Sequence, residues 1–335
     1  MNAYVVTDAK QGEVREMPVP VPKDDEVILE VKAAGLCGTD AHIYAGEYFG
    51  QFPLVPGHEF AGVVSSVGKS VKRFHSGDRV TADPNIACGY CTFCQESMEN
   101  FCENFQAVGV TRHGAFAQYV AVPQQNVFPI DDIPFEEAAF IEPLACVVYG
   151  QKRARPPLGA NVLVVGAGAI GLLHVQLARM NGAASIAVLD TAPEPLTLAK
   201  SLGATHCVEN SSEGRELLGK EFPQGFHMVI DCTGIPAVVE SLLPWVRSGG
   251  TLLVFGVCPQ DSTIAVNPYE IFRRDLTIIG SFALKKTFPE AISLLQAGVI
   301  DVKSLISRRL TLEAVPDAVA DFAAGHLKGK SLVVF

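Results

Sequence analysis

The sequence lacks any block of clustered Lys and Arg, and its formal net charge at pH 7 is −10. An acidic chain without a basic patch is a poor match for nucleic acid or for an anionic membrane surface. Low-complexity tracts and internal repeats are absent as well, which argues against disordered and repeat architectures. We therefore expect small-molecule partners, and neither nucleic acid nor a membrane.

Long unbroken apolar runs are also absent. The longest apolar stretch, residues 162–178, is interrupted by three glycines, His174 and Gln176, which favours a strand, a turn and a helix over a membrane span. Residues 1–22 lack the apolar core of a signal peptide. These features predict a soluble, cytoplasmic protein whose cysteines stay reduced.

The chain has 335 residues, of which 48% are hydrophobic, and it exceeds the size at which one core usually stops growing. Two domains are therefore expected. Up to about residue 80, apolar and polar residues alternate in short runs, which predicts a β-rich domain. From residue 161 onward, apolar strands alternate with helical patterns, which predicts a parallel α/β sheet.

A compact cysteine cluster stands in the first half of the chain. Cys88, Cys91 and Cys94 are separated by two residues each, and Cys102 follows closely. Four thiolates in one short loop can form the closed tetrahedral shell of a structural zinc ion. The alternative, incidental or disulfide-bonded cysteines, is disfavoured by the short gaps and a reducing compartment. The spacing predicts a structural zinc lobe at about residues 84–105.

A second set of potential ligands lies on two earlier loops. Cys37, His58 and Glu59 offer a thiolate, an imidazole and a carboxylate, which together suit zinc and leave one coordination position open for catalysis. Taken singly, Cys37 could be a buried thiol and His58 a loop histidine. Glu142 falls in an apolar run, so it is either an acid at a helix start or a group that holds the metal or its water.

A strand that runs into G-x-G-x-x-G and then a helix, followed by a second strand ending at Asp190, predicts a dinucleotide site. Asp190 can accept hydrogen bonds from the adenosine ribose and would repel a 2′-phosphate, which favours NAD over NADP. An ordinary βαβ unit with packing glycines is the alternative. The expected cofactor-binding residues are Gly166, Gly168, Ala169, Ile170, Gly171, Asp190, Thr233, Gly256 and Val257.

These motifs carry a resemblance over essentially the whole chain to the zinc-dependent medium-chain alcohol and polyol dehydrogenases. They occur in the family's order: Gly35-Leu36-Cys37-Gly38-Thr39-Asp40-Ala41-His42, Gly57-His58-Glu59, the four-cysteine lobe, Val165 to Gly171, and Gly280-Ser281. The resemblance implies an α/β protein with a GroES-like catalytic domain at residues 1–147 and a doubly wound Rossmann domain at 148–285. It also implies a return to the catalytic domain at 286–335 and a homodimer or homotetramer.

Ile141-Glu142-Pro143-Leu144-Ala145 is similar to the polyol branch, which includes sorbitol, xylitol and arabinitol dehydrogenases. The resemblance implies that Cys37, His58 and Glu59 hold a catalytic zinc, with Glu142 on the metal directly or through water. It places Thr39 and His42 in a proton relay. The chain departs from the family at Gly114-Ala115 and at Leu284 to Thr287, and the second departure, in a stretch expected to face the substrate or a neighbouring subunit, bears on the sugar specificity.

The expected activity is reversible oxidation of a secondary hydroxyl of a pentitol or hexitol to the ketose, with hydride transfer to NAD. The polyol and the oxidised carbon stay open. L-threonine 3-dehydrogenase is an alternative, because its early motif is similar to Cys37 to Tyr44, although Ala45 to Phe49 lacks the tryptophan and the acid cluster of that enzyme. A sugar acid or sugar phosphate is another possible substrate. A noncatalytic relative would have a broken catalytic set, and here the set is complete.

Overall fold

The structure is a computed structural model that describes residues 1–47, 51–326 and 329–335. The chain forms two compact units. The first unit combines Met1–Ala145 with Lys285–Phe335, and the second unit is Cys146–Leu284. Tyr48 and Phe49, which entered the comparison with threonine 3-dehydrogenase, lie outside the described residues.

Strands and helices follow one another along both units. The strands are β1 Asn2–Asp8, β2 Gln11–Glu16, β3 Glu26–Gly35, β4 Glu59–Val67, β5 Arg79–Ala82, β6 Asn85–Ile86, β7 Gln106–Ala107, β8 Tyr119–Pro123, β9 Val127–Pro129, β10 Asn161–Val165, β11 Ser185–Asp190, β12 His206–Glu209, β13 Phe226–Asp231, β14 Val246–Val254, β15 Thr277–Gly280, β16 Ile306–Leu310 and β17 Lys330–Val334. The helices are α1 Gly38–Ala45, α2 Thr92–Gln95, α3 Phe135–Ala138, α4 Ile141–Ala154, α5 Ala169–Met180, α6 Pro193–Ser201, α7 Ser212–Glu221, α8 Pro236–Leu242, α9 Pro268–Arg274, α10 Phe288–Gln296 and α11 Val315–Ala323.

The first unit is built on a seven-stranded sheet in the order β16-β17-β3-β4-β5-β9, with β8 also paired to β3. Its core includes the fully buried rings of Tyr4, Phe60 and Phe116. Strands β3 and β4 pair antiparallel, so that Gly35 at the end of β3 faces Glu59 at the start of β4. The predicted β-rich domain is confirmed, and this register brings two of the predicted ligand loops to one end of the sheet.

The second unit contains a six-stranded sheet in the order β12-β11-β10-β13-β14-β15, and all its pairs are parallel. The central strands are apolar and buried on both faces, as expected for a parallel sheet covered by helices. The strand order reverses between β10 and β13, and ligands bind such sheets at the carboxyl ends of the strands beside this point. The predicted parallel α/β sheet is confirmed.

Helix α5 begins at Ala169, inside the G-x-G-x-x-G motif. Gly168 is its N-cap, and the carbonyl of Gly168 accepts the first helical hydrogen bond from the Leu172 N–H at 2.9 Å. The first turn of α5 therefore follows directly on the glycine turn. Every helix in the described part of the chain is too short or too polar to cross a bilayer.

Candidate active site

Cys37, His58 and Glu59 come together at the end of the first unit's sheet. Cys37 is the N-cap of α1, just after β3, and Glu59 opens β4. Their potential ligand atoms all lie within 4.8 Å of one another, and His58 and Glu59 are buried. The residues that the sequence proposed as metal ligands are thus adjacent in the structure.

Asp40 ties the two ligand loops together. Its carboxylate is fully buried and accepts hydrogen bonds from the N–H groups of Cys37, at 2.8 Å, and Gly57, at 3.1 Å. His58 Nδ1 lies 3.7 Å from Asp40 Oδ1. The sequence motif contained Asp40 but gave it no role. Its burial and its hydrogen bond to the second ligand loop are visible only in the structure.

The charges around His58 show what the cluster is suited to bind. Burial alone would lower the pKa of His58, but the negative charges of Cys37 and Asp40 outweigh it and raise this pKa well above its ordinary value. A site that stabilises positive charge on an imidazole will also stabilise a cation. A thiolate, an imidazole and a carboxylate are a donor set for zinc, and three ligands leave a position open. The residues present therefore fit a catalytic zinc ion.

Glu142 lies outside the three-residue cluster within the described chain. It is in the first turn of α4 and is 8% exposed. Its charge acts on the ammonium group of Lys330, which in turn contacts Glu59. Glu142 is therefore in the electrostatic neighbourhood of the cluster, although it is not a member of it.

Thr39 and His42 both lie on α1. Thr39 Oγ1 is 3.8 Å from Cys37 Sγ. His42 is part-exposed, and its Nδ1 is 2.8 Å from the carboxylate of Glu47. Residues three apart on a helix lie on the same face, so α1 presents a hydroxyl beside the cluster and an imidazole nearer the solvent.

Lys330 is a member of the site that sequence reasoning missed. It opens β17, its side chain is 7% exposed, and its Nζ contacts Glu59 Oε2 and donates to the Leu36 carbonyl at 3.1 Å. Burial alone would lower the pKa of Lys330, but the charges of Glu59 and Cys37 outweigh it and raise the pKa. A lone lysine before an apolar strand carries no sequence signal for a metal site.

The four-cysteine lobe is compact, and its sulfur atoms also lie within 4.8 Å of one another. Cys88 Sγ and Cys94 Sγ are 4.0 Å apart, close to the ~3.8 Å that tetrahedral zinc–sulfur bonds of ~2.3 Å require. Backbone N–H groups point at the sulfurs, as in Cys88 N–H to Cys102 Sγ at 3.2 Å. All four cysteines are free. These residues fit a closed structural zinc site.

The glycine turn of the second unit has the shape that a pyrophosphate needs. Gly166 has φ +96°, a value that L side chains rarely adopt. A Cβ on Gly171 would collide with the Gly166 carbonyl, whereas a Cβ on Gly168 would meet open space. Gly168 precedes α5, whose first N–H groups have no helical partner. Ala169 and Ile170 form the first turn of α5, so this turn can bind an anion.

Asp190 ends β11 and holds the glycine turn. Its Oδ2 accepts a hydrogen bond from the Ala167 N–H at 2.6 Å, and its Oδ1 accepts one from the Ala192 N–H at 2.9 Å. Each carboxylate oxygen has two lone pairs, so the side chain can also accept from ribose hydroxyls. The structure thus gives Asp190 a positioning task that sequence reasoning did not anticipate.

The other predicted cofactor residues follow β13 and β14. Asp231, fully buried, accepts hydrogen bonds from the hydroxyl of Thr233 at 2.6 Å and from the N–H of Gly234 at 3.2 Å. A Cβ on Gly256 would collide with the Gly234 N–H. Val257 follows and is 60% exposed. The structure therefore gathers these loops at the carboxyl edge of the parallel sheet, beside the glycine turn.

Two family models match the chain. The model of the alcohol dehydrogenase GroES-like domain matches residues 23–132. The model of the zinc-binding dehydrogenase matches residues 169–297. Together they cover parts of both units.

Curated relatives align along nearly the whole chain. D-arabinitol dehydrogenase 1 of Uromyces fabae is 34% identical, covering 97% of this chain and 94% of that protein. D-altritol 5-dehydrogenase of Agrobacterium fabrum is 38% identical and covers 93% of each. L-threonine 3-dehydrogenase of Mesorhizobium japonicum is 34% identical and covers 93% of each.

Solved structures share the fold. A putative zinc-binding dehydrogenase from Sinorhizobium meliloti 1021, bound to NADP, is 34% identical with a TM-score of 0.95, covering 100% of this chain and 99% of that one. A short chain alcohol dehydrogenase from E. coli, complexed with NADH, is 30% identical with a TM-score of 0.93 at the same coverage.

Proposed function

The chain belongs to the zinc-binding dehydrogenases with a GroES-like domain, and from this premise we propose that it oxidises a secondary hydroxyl of a sugar alcohol to the ketose, with NAD as acceptor. The observation that carries the proposal is the cluster of Cys37, His58 and Glu59, with ligand atoms within 4.8 Å. Relatives named for D-arabinitol and D-altritol support a pentitol or hexitol as the substrate.

A zinc ion at this cluster would lower the pKa of a bound hydroxyl, and NAD would accept the hydride from the adjacent carbon. Cys37, His58 and Glu59 would hold the ion, and Asp40 fixes the two loops that carry them. In this proposal the hydroxyl of Thr39 would take the substrate proton, and His42 would pass it to solvent. The carboxylate of Glu47 orients the imidazole of His42. Glu142 would hold the metal or its water.

NAD is the proposed acceptor because Asp190 would repel a 2′-phosphate. Solved relatives have been crystallised with NADP and with NADH, so the coenzyme needs its own measurement. A preference for NADP would contradict this part of the proposal.

L-threonine 3-dehydrogenase activity is the second candidate. A relative with this name is 34% identical, and the motif Cys37 to Tyr44 is similar to that enzyme's. Threonine carries a secondary hydroxyl, so the same chemistry applies to it. Solved relatives named galactitol-1-phosphate dehydrogenase and L-idonate 5-dehydrogenase keep a sugar phosphate or sugar acid among the compounds to be tested.

The test is NADH formation by the zinc-loaded protein on pentitols, hexitols, threonine, sugar acids, sugar phosphates and simple secondary alcohols, with NAD and NADP in parallel. Turnover of a polyol is expected, and Cys37→Ser should abolish it because the ion loses a ligand. The control is Cys207→Ser, since Cys207 is a free thiol of β12. Turnover of threonine alone would replace the proposal with the second candidate, and full activity after verified zinc removal would refute the metal's role.

We also propose that the protein is a homo-oligomer assembled through β15. This strand is at the edge of the second unit's sheet and exposes Thr277 and Ile278. Nearby, α9 exposes Phe272 at 81%. An exposed edge with apolar neighbours suits pairing with the same edge of a second copy.

All nine cysteines are free, which supports a reducing, cytoplasmic location.

A further inference from the structure

We propose that Lys330 is a positioning residue of the catalytic metal site: its ammonium group holds one carboxylate oxygen of Glu59, so that Glu59 offers the metal one oxygen and a coordination position stays open for the substrate hydroxyl. This inference rests on the proposed function and deepens it. The proposal gives a role in the chemistry to Lys330 of strand β17, which lies 271 residues from Glu59 along the chain.

Strand pairing brings Lys330 to the cluster. Strand β17 pairs antiparallel with β3, with Leu332 opposite Gly35. Gly35 also faces Glu59 on the other side of β3. Lys330 therefore extends past the end of β3, where its Nζ donates to the Leu36 carbonyl at 3.1 Å, next to Cys37. This backbone contact fixes the ammonium group independently of Glu59.

The missing side chain of Gly35 leaves the space in which Lys330 and Glu59 meet. A Cβ at Gly35 would collide with Glu59 Oε2 and would come within 3.0 Å of Lys330 Cε. Position 35 must therefore lack a side chain for the lysine and the carboxylate to meet. Glu59 is 1% exposed and Lys330 6%, so both partners of the ion pair are shielded from bulk water. The site therefore combines a buried ion pair between Lys330 and Glu59 with a glycine at position 35, where a side chain would prevent the contact.

The number of coordination positions that Glu59 could occupy on the metal depends on how many of its two carboxylate oxygens are free. A carboxylate with both oxygens free can bind a metal through both, and would then occupy two positions of the coordination shell. The ion pair with Lys330 engages Oε2. Together with Cys37 and His58, a Glu59 that offered one oxygen would make three protein ligands and would leave one coordination position for the substrate.

The test uses the full chain loaded with cobalt, whose visible bands weaken when the coordination number rises from four to five. The spectrum of Cys37→Ser, which keeps only the four-cysteine site, is subtracted. We expect Lys330→Met to weaken the cobalt bands and to tighten zinc binding by about tenfold in a chelator competition, because a cation is removed and Glu59 gains a free oxygen. Lys330→Arg, which keeps a cation, should retain the wild-type spectrum.

Two further variants separate this role from a structural one. In the Glu59→Gln background, Lys330→Met should leave the cobalt spectrum unchanged, because the lysine acts through Glu59. Arg309→Met is the matched control: it removes a cation from β16 whose guanidinium pairs with Glu136, and neither spectrum nor zinc affinity should change. If Lys330→Met is purified with zinc bound and its cobalt spectrum equals that of the wild type, the proposal is wrong. The cobalt spectrum and the zinc affinity are both measured without substrate. A failure of this proposal can therefore be distinguished from a failure of the proposed function, which the substrate panel tests.

Discussion

The carboxylate of Asp190 supports the glycine turn by accepting N–H groups from Ala167 and Ala192, and it is also the group proposed to select the coenzyme. We predict that Asp190→Ser, combined with Thr191→Arg, shifts the ratio of kcat/KM for NAD over NADP by at least about tenfold toward NADP. Asp190→Asn is the control for the turn, since it removes the charge and keeps an acceptor. An unchanged coenzyme ratio in both variants would reject the role of Asp190.

His174 is a fully buried histidine of α5. Its Nδ1 is 3.2 Å from the amide nitrogen of Gln151, and the ring of Phe255 packs edge-on at 4.6 Å. Burial lowers the pKa of His174 from 6.5 to about 3. The folded state therefore keeps His174 neutral at pH values where the unfolded chain takes up a proton.

We predict that this group makes the second unit less stable as the pH falls below 6.5, by about 1 kcal/mol between pH 6.5 and 5.5 and by more toward pH 3. Urea unfolding followed by the fluorescence of Trp245, the single tryptophan, measures it. His174→Gln should flatten this dependence, whereas His75→Gln, at an exposed position, should not. An identical pH dependence in all three proteins would contradict the prediction.

The candidate ligand residues could be proposed from sequence because metal-binding residue types are few and their motifs are local. Cys37, His58 and Glu59 stand in two short segments, and the structure places them together. Asp40 and Lys330 could not be identified in the same way. An acid or a lysine has many uses, and these two find partners in other segments of the chain, Gly57 for Asp40 and Leu36 for Lys330. Their roles depend on sheet register, which one sequence does not specify.

At the scale of elements, the four-cysteine lobe makes a separate prediction. Its few short elements, such as the four-residue α2, cannot form a core, so the metal must hold the lobe together. Cys94→Ser should lower the zinc content from two ions per chain to one and lower the Tm by several degrees. Element analysis by atomic emission checks this, with Cys207→Ser as the control that keeps both ions. Two retained ions would refute the assignment.

The order of strands and helices was readable in the second unit because each strand is a short apolar run bounded by glycines or turns. The residues at which helices and strands begin and end were harder to predict from the sequence. Helix α5 begins at Ala169, within the glycine motif, because its start is set by backbone hydrogen bonds that residue polarity does not report. The hairpins of the first unit gave only a general β pattern, since the order of its strands depends on contacts between distant segments.

At the scale of the whole molecule, oligomer formation through β15 is open to a direct test. Ile278→Lys would place a charge on the exposed edge strand, and like charges would face each other across a two-fold axis. We expect the molar mass in light scattering to fall by about half or more. Leu158→Lys, at a loop position that is 87% exposed, should leave the mass unchanged. A wild-type mass for Ile278→Lys would exclude this interface.

The pairing of β17 with β3 has a consequence for synthesis on the ribosome. Roughly 300 residues separate the two strands, and at about 5–20 residues per second the ribosome needs roughly 15–60 s to make them. During this interval the β3 edge at Ala33–Gly35, which β17 will cover, stays open to other strands. The second unit is built from the contiguous residues Cys146–Leu284, so its folding does not depend on a strand from a distant part of the chain. The middle part of the message therefore encodes the unit that can fold first, while the first unit remains incomplete until β17 emerges.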